Sequence, residues 1–156
     1  STLMRSSAAS DVYKRQGMRF LCAEDNELNA EILTELLKIK GAECTVCENG
    51  ERILETFERS APGDYDMILM DVQMPVMNGY EATKAIRKSS HEQAKTIPII
   101  AMTANAFSDD IHHSLTVGMN AHISKPVEMK VLEKTISSIK FGGGLKRRLL
   151  NNKDEI

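Results

Sequence analysis

Between Phe20 and Ile139 the chain alternates short apolar runs with stretches of helical spacing five times over, and that alternation leaves few folds open. Phe20-Leu21-Cys22-Ala23 is a continuous apolar run, and Leu28, Ile32, Leu33, Leu36 and Leu37 follow at the spacing of one helix face, which Gly41 can end. Glu43 to Cys47 predicts a weaker strand, polar enough for a sheet edge, and Ile53, Leu54 and Phe57 mark a second helix before the breaker Ala61-Pro62-Gly63. Met67-Ile68-Leu69-Met70 reads as a central strand covered on both faces. Asn78-Gly79 opens a third helix carrying Ala82, Ala85 and Ile86, and Ile97 to Met102 supplies a fourth strand that tolerates Pro98 near its start. Phe107, Ile111 and Leu115 then predict a fourth helix ending near Gly118. Ala121-His122-Ile123 is a short last strand, Val131, Leu132, Thr135, Ile136 and Ile139 line the fifth helix, and Gly142-Gly143-Gly144 closes the domain.

Strict strand and helix alternation implies an α/β fold: a doubly wound, flavodoxin-like parallel sheet with right-handed crossovers and helices on both faces. The order 2-1-3-4-5 places the polar Glu43 to Cys47 strand at an edge and the most apolar strands inside. With 156 residues and 42% hydrophobic content there is material for one core, not two. The expected division is a flexible leader over 1–17, the domain over 18–141 and a flexible tail over 142–156.

Several function classes drop out on composition. The net charge of −2 creates no field that would recruit nucleic acid or an anionic membrane, and Lys146-Arg147-Arg148 reads as a solvated tail. No apolar stretch approaches the roughly 20 residues needed to span a bilayer, and residues 1 to 17 lack the apolar centre of a signal peptide. Three cysteines, an odd number without an obvious disulfide spacing, point to a reducing compartment and a cytoplasmic location. Cys44-x-x-Cys47 falls on a strand, where side chains three apart face opposite ways, so it predicts no metal or redox site. His112-His113 diverge around a helix and predict no chelate, and His91 sits in a polar loop.

In an open parallel sheet the chemistry gathers beyond the carboxyl ends of the strands. Glu24 and Asp25 follow the first strand, Asp71 the third, Thr103 the fourth and Lys125 the fifth. Three carboxylates in one crevice repel and raise each other's pKa unless a cation neutralises them, and hard oxygen ligands favour Mg²⁺, which keeps several waters and takes few protein carboxylates. Lys125 would add a point positive charge for phosphoryl oxygens, and Thr103 a hydroxyl donor. Spacing alone leaves a metal site and a group of solvated loop acids both open.

The ordered set is more telling. Glu24-Asp25-Asn26, then Met70-Asp71-Val72-Gln73-Met74-Pro75-Val76-Met77-Asn78-Gly79, then Ala101-Met102-Thr103-Ala104-Asn105-Ala106, then Ile123-Ser124-Lys125-Pro126 strongly resembles the receiver domain of two-component response regulators, over about Met18 to Lys140. The wording around Asp71 and Thr103 is most similar to receivers of hybrid sensor histidine kinases. The resemblance implies that Asp71 accepts a phosphoryl group from a phosphohistidine on a histidine kinase or histidine phosphotransfer protein. It further implies that Asp25, Asp71, Glu24 and the backbone carbonyl of Gln73 hold Mg²⁺, with Mn²⁺ as an alternative, while Lys125 and Thr103 grip the phosphoryl oxygens. In the family the Lys-Pro bond is cis, here Lys125-Pro126, and Asn105 and the Gln73 side chain bear on access of hydrolytic water.

Signalling in that family passes from Thr103 to the residue three before Lys125, usually Tyr or Phe. Here it is His122, a departure that leaves the switch role open against that of an ordinary edge-strand histidine. The output face would be the fourth helix, fifth strand and fifth helix, which also offers a dimer contact. Two alternatives stand beside this reading. One is a pseudo-receiver that binds partners without phosphorylation. The other is an aspartyl-nucleophile phosphatase, which usually carries a second Asp two residues after the nucleophile, where this chain has Gln73. As an isolated receiver the chain is not expected to be an enzyme, beyond promoting its own phosphorylation and dephosphorylation.

Overall fold

The computed structural model describes residues 17–104 and 108–139. The expected leader up to residue 16, the tail, Asn105 and Phe107 lie outside the described residues. Five strands are laid down in chain order, β1 (Arg19–Ala23), β2 (Glu43–Cys47), β3 (Met67–Asp71), β4 (Ile99–Thr103) and β5 (Ala121–Ser124). Five helices alternate with them: α1 (Glu27–Ile39), α2 (Gly50–Arg59), α3 (Gly79–Lys88), α4 (Ser108–Val117) and α5 (Met129–Ser138). All strand pairs are parallel, in the order β2-β1-β3-β4-β5, as the alternation predicts.

Every residue of β3 and β4 is buried, which is why both read as unbroken apolar runs, whereas edge strand β2 leaves three of five residues exposed. The pleat sorts the core into two layers. Leu21, Ala23, Ile68, Met70, Ile99 and Ala101 pack with Ile53 and Phe57 of α2 and Ala82 and Ile86 of α3. Phe20, Cys22, Leu69, Met102 and Ile123 pack with Leu33 and Leu37 of α1 and Leu132 and Ile136 of α5. Cys44 and Cys47 fall into opposite layers, as a strand requires.

Four apolar residues assigned to helix faces are solvent-exposed instead: Leu28, Ile32, Leu115 and Val131. In α1, α4 and α5 the covered stripe is narrower than the apolar face. The fourth strand also starts later than the apolar run, because Pro98 lies ahead of Ile99 and lends only its carbonyl, accepting from the Ile68 N–H at 2.9 Å. The methionines fill the core and loops as expected, with Met67, Met70, Met74, Met102 and Met119 all buried.

Local capping fixes where α1, α2 and α3 begin beside the sheet edge. Asn26, Asn49 and Asn78 cap α1, α2 and α3 with side-chain oxygens accepting from the third helical N–H, and Asn78 and Glu81 form a reciprocal capping box. On the far side, the Arg87 guanidinium donates to the carbonyls of Gly118 and Ala94 and to Asn120 Oδ1 at 2.8–3.0 Å, tying α3 to the turn before β5. His91 is structural too: its ring packs on Phe57 and hydrogen-bonds Ser60 and the Gln93 N–H. Among the described residues no helix is long and apolar enough to cross a membrane.

Candidate functional site

Asp71 is the last residue of β3, the middle strand of the sheet, and only 3% of it is exposed. β1 runs alongside in parallel and ends one residue before Glu24, so Glu24 and Asp25 emerge at the same edge. Glu24, Asp25 and Asp71 each bring a carboxylate oxygen within 4.8 Å of the others. Glu24 is buried and Asp25 exposed, so this cup opens on one side.

Lys125 closes the cup from β5. Its Nζ donates to Asp71 Oδ2 and to Glu24 Oε1, both at 2.9 Å. The backbone holds it there, with the Lys125 N–H donating to the Thr103 carbonyl at 2.8 Å and a cis bond to Pro126 following. Two further donors come from the backbone: Gln73 N–H to Asp71 Oδ1 at 3.2 Å, and Asn26 N–H to Glu24 Oε2 at 3.1 Å. Sequence reasoning missed both, since they depend on how each loop turns after its strand.

Burial raises the Asp71 carboxyl to about 6, with the neighbouring Glu24 charge adding to the rise and Lys125 opposing it. Partial burial pulls Lys125 down, but its hydrogen bonds to Asp71 and Glu24 win and hold it above the ordinary lysine value. One ammonium thus bridges two buried carboxylates and offsets only part of their charge, while the third faces solvent.

Beside the cup lies a cleft of about 660 Å³, lined by Asp25, Gln73, Asn78, Tyr80 and Thr103 among others. Thr103 ends β4 at its rim, nearly buried. Tyr80, not singled out from sequence, stands in the first turn of α3, its ring edge-on to His113 at 4.2 Å. Gly79 lets α3 start hard against β3: a Cβ there would collide with the Asp71 carbonyl. The intervening loop pinches into a γ-turn, with Met77 N–H on the Pro75 carbonyl at 2.7 Å and Val76 at φ 70°, a strained value for a β-branched residue.

Six of the seven anticipated residues therefore meet at the cup or its cleft: Glu24, Asp25, Asp71, Lys125, Thr103 and Gln73. Gln73 lines the cleft as an exposed residue beside Asp71. His122 stands apart, half-buried and level with Ala101 in the β4–β5 ladder, which puts it on the sheet face of Thr103, two residues back from the edge.

A five-stranded 2-1-3-4-5 sheet with an acidic cup, a lysine and a threonine at its carboxyl edge is the arrangement that the sequence motifs imply, and comparison with known proteins agrees. The family described as "Response regulator receiver domain" matches residues 20–137. The chain belongs to that family, and is a receiver domain of two-component phosphorelay signalling. Hybrid signal transduction histidine kinase I of Dictyostelium discoideum is 37% identical over 122 residues, 77% of this chain, and the chain spans 7% of that kinase's length. Among solved structures, the receiver domain of sensor histidine kinase PA1611 from Pseudomonas aeruginosa PAO1 is 36% identical with a TM-score of 0.68, covering 78% of this chain and 95% of that one. That structure has a magnesium ion coordinated in its active-site cleft. The receiver domain of Saccharomyces cerevisiae Ssk1, solved with the histidine phosphotransfer protein Ypd1, is 29% identical with a TM-score of 0.66, covering 77% and 86% of the two chains.

Proposed function

We propose that Asp71 is the phosphoacceptor of this receiver, taking a phosphoryl group from phosphohistidine on a histidine kinase or histidine phosphotransfer protein. The observation that carries the reading is Asp71 buried at the end of the central strand, with two acids and the Lys125 ammonium converging on it. An Asp71 carboxylate oxygen attacks phosphorus as the phosphorus–nitrogen bond to the donor imidazole breaks, leaving an acyl phosphate. Gln73 N–H and Lys125 hold the two carboxylate oxygens, so the nucleophile is oriented before the donor arrives. Lys125 and the Thr103 hydroxyl then bind the equatorial phosphoryl oxygens, where charge must be compensated.

The cup fits a hard divalent cation, since three carboxylate oxygens lie within 4.8 Å and one ammonium neutralises only part of their charge. Asp25, Asp71, Glu24 and the Gln73 carbonyl would hold Mg²⁺, with Mn²⁺ as an alternative. Bound there, the ion supplies charge neutralisation for acceptor and phosphoryl group alike. The PA1611 receiver and the Ypd1 complex support this choice of ion and partner. As an isolated domain the chain acts as a self-phosphorylating substrate and not as an enzyme. Its place is the cytosol, within a larger sensor kinase or free, and it needs no nucleic acid or membrane contact of its own.

Output runs through the face of α4, β5 and α5, which also offers a dimer contact. His122 shares a sheet face with Thr103, which supports coupling between them. Unchanged phosphorylation-dependent partner binding in a His122→Ala variant would remove that switch.

Transfer from a radiolabelled phosphohistidine donor tests the assignment. Label is expected on the chain, labile to hydroxylamine as acyl phosphates are, and absent from Asp71→Asn. Label that persists in Asp71→Asn places the acceptor elsewhere. No label from a competent donor favours the pseudo-receiver, and turnover of small phosphoesters favours the phosphatase.

A further inference from the structure

Cys22 in β1 and Cys44 in β2 meet across the edge of the sheet with their sulfurs 2.9 Å apart. In the parallel register Cys22 is level with Val46 and Cys44 with Phe20, so the pair are diagonal neighbours on one face, both packed in the layer under α1 and α5. Both thiols are free. Cys22 is fully buried, whereas Cys44 keeps partial solvent access and stands on the strand whose outer edge has no neighbour among the described residues.

We propose that Cys22 and Cys44 form a reversible intramolecular thiol–disulfide site, oxidised by a hydroperoxide that reaches Cys44 first. The Cys44 sulfur attacks the peroxide O–O bond, giving a sulfenic acid and releasing the alcohol, or water from hydrogen peroxide. The Cys22 sulfur then attacks the Cys44 sulfur and expels hydroxide, which leaves as water with the Cys22 proton. In sum two thiols and one hydroperoxide give a disulfide, an alcohol and water, the two electrons passing from sulfur to the peroxide.

The surroundings suit these roles. The Cys22 hydrogen bond holds the Cys44 thiol below its ordinary pKa against the effect of burial, with the Thr34 hydroxyl assisting, so Cys44 carries more of the reactive thiolate. Bond formation brings the sulfurs to about 2.05 Å. Among the described residues β2 pairs with β1 alone, so it can slide that short way without breaking a second described ladder. Cys47 lies in the other core layer and cannot compete.

Peroxide treatment of the full chain, followed by alkylation, digestion and mass spectrometry, decides the matter independently of any chemistry at Asp71. The expected product has lost two hydrogens per chain, reverts with dithiothreitol, and yields one peptide pair joining Cys22 to Cys44. Cys47→Ala keeps the bridge. Cys44→Ala loses it, and Cys22→Ala leaves a Cys44 sulfenic acid that dimedone captures; circular dichroism checks that each variant is folded. An unreacted Cys44, a Cys44 sulfinate without a bridge, a bridge to Cys47 or one between two chains would each overturn the proposal.

Discussion

Lys125 Nζ lies 2.9 Å from Asp71 Oδ2 and is held there by Glu24 at the same distance on its other side. The ammonium therefore occupies the space between two buried carboxylates where, under the proposed function, a phosphoryl group and a cation would sit. Lys125→Met is expected to cut phosphorylation of the chain at least ~10-fold, through loss of charge stabilisation of the transferred group. Mg²⁺ should bind as tightly as in the parent chain or more tightly, because a competing cation is gone. Titration calorimetry with Mg²⁺ and phosphorylation rates on the same sample separate the two effects, and a parallel loss of both would contradict this division of labour.

Stability of the metal-free protein should fall as pH rises from about 4 to 6. Asp71 titrates near 6 in the fold, above its ordinary value of 3.8, so within that window the folded state binds more protons than the unfolded chain. Folding is therefore favoured at low pH, and the advantage is lost as Asp71 ionises beside Glu24. The full effect is on the order of 2 to 3 kcal/mol, from roughly 1.4 kcal/mol for each pKa unit. Urea melts in EDTA across this range should show the drop, and Asp71→Asn should show a shallower one.

Gly79→Ala should destabilise the domain by about 2 kcal/mol or more, since the new Cβ would press on the Asp71 backbone carbonyl, a group that cannot swing aside. Denaturant midpoints measure it. A cost of a few tenths of a kcal/mol would mean that α3 is not seated where the geometry puts it.

Thr83→Val should move stability the other way. The Thr83 hydroxyl is fully buried in α3 with no hydrogen-bond partner among the described residues, and an isosteric methyl removes that penalty. A gain of roughly 1 kcal/mol is expected, and a clear loss in the same melts would reveal a partner for the hydroxyl.

Much of this was legible in the chain, for reasons that particular residues make plain. Met67 to Met70 and Ile99 to Met102 are apolar at every position because both faces of a central parallel strand are covered, so the sheet's middle announces itself. Asp71 and Lys125 could be placed because chemistry sits at the strand ends, and strand ends are where those runs stop. Helix faces are less legible. Ile32 carries the right spacing, yet spacing reports apolarity and not where the sheet beneath a helix ends. Instead it lines a groove with Leu36, Pro126 and Val127. The Cys22–Cys44 contact was invisible because strand register, set by the whole sheet, decides which diagonal neighbours meet. The Gln73 and Asn26 donors depend in the same way on loop turns with no sequence period.

Where a phosphoryl group lands on this chain can be read directly. Incubation with acetyl phosphate and Mg²⁺, read by intact mass and fragment mapping, should add one phosphate to Asp71, and the gain should vanish in EDTA and in Asp71→Asn. A folded chain that gains nothing under these conditions, or that gains phosphate with Asp71 replaced, would contradict the account.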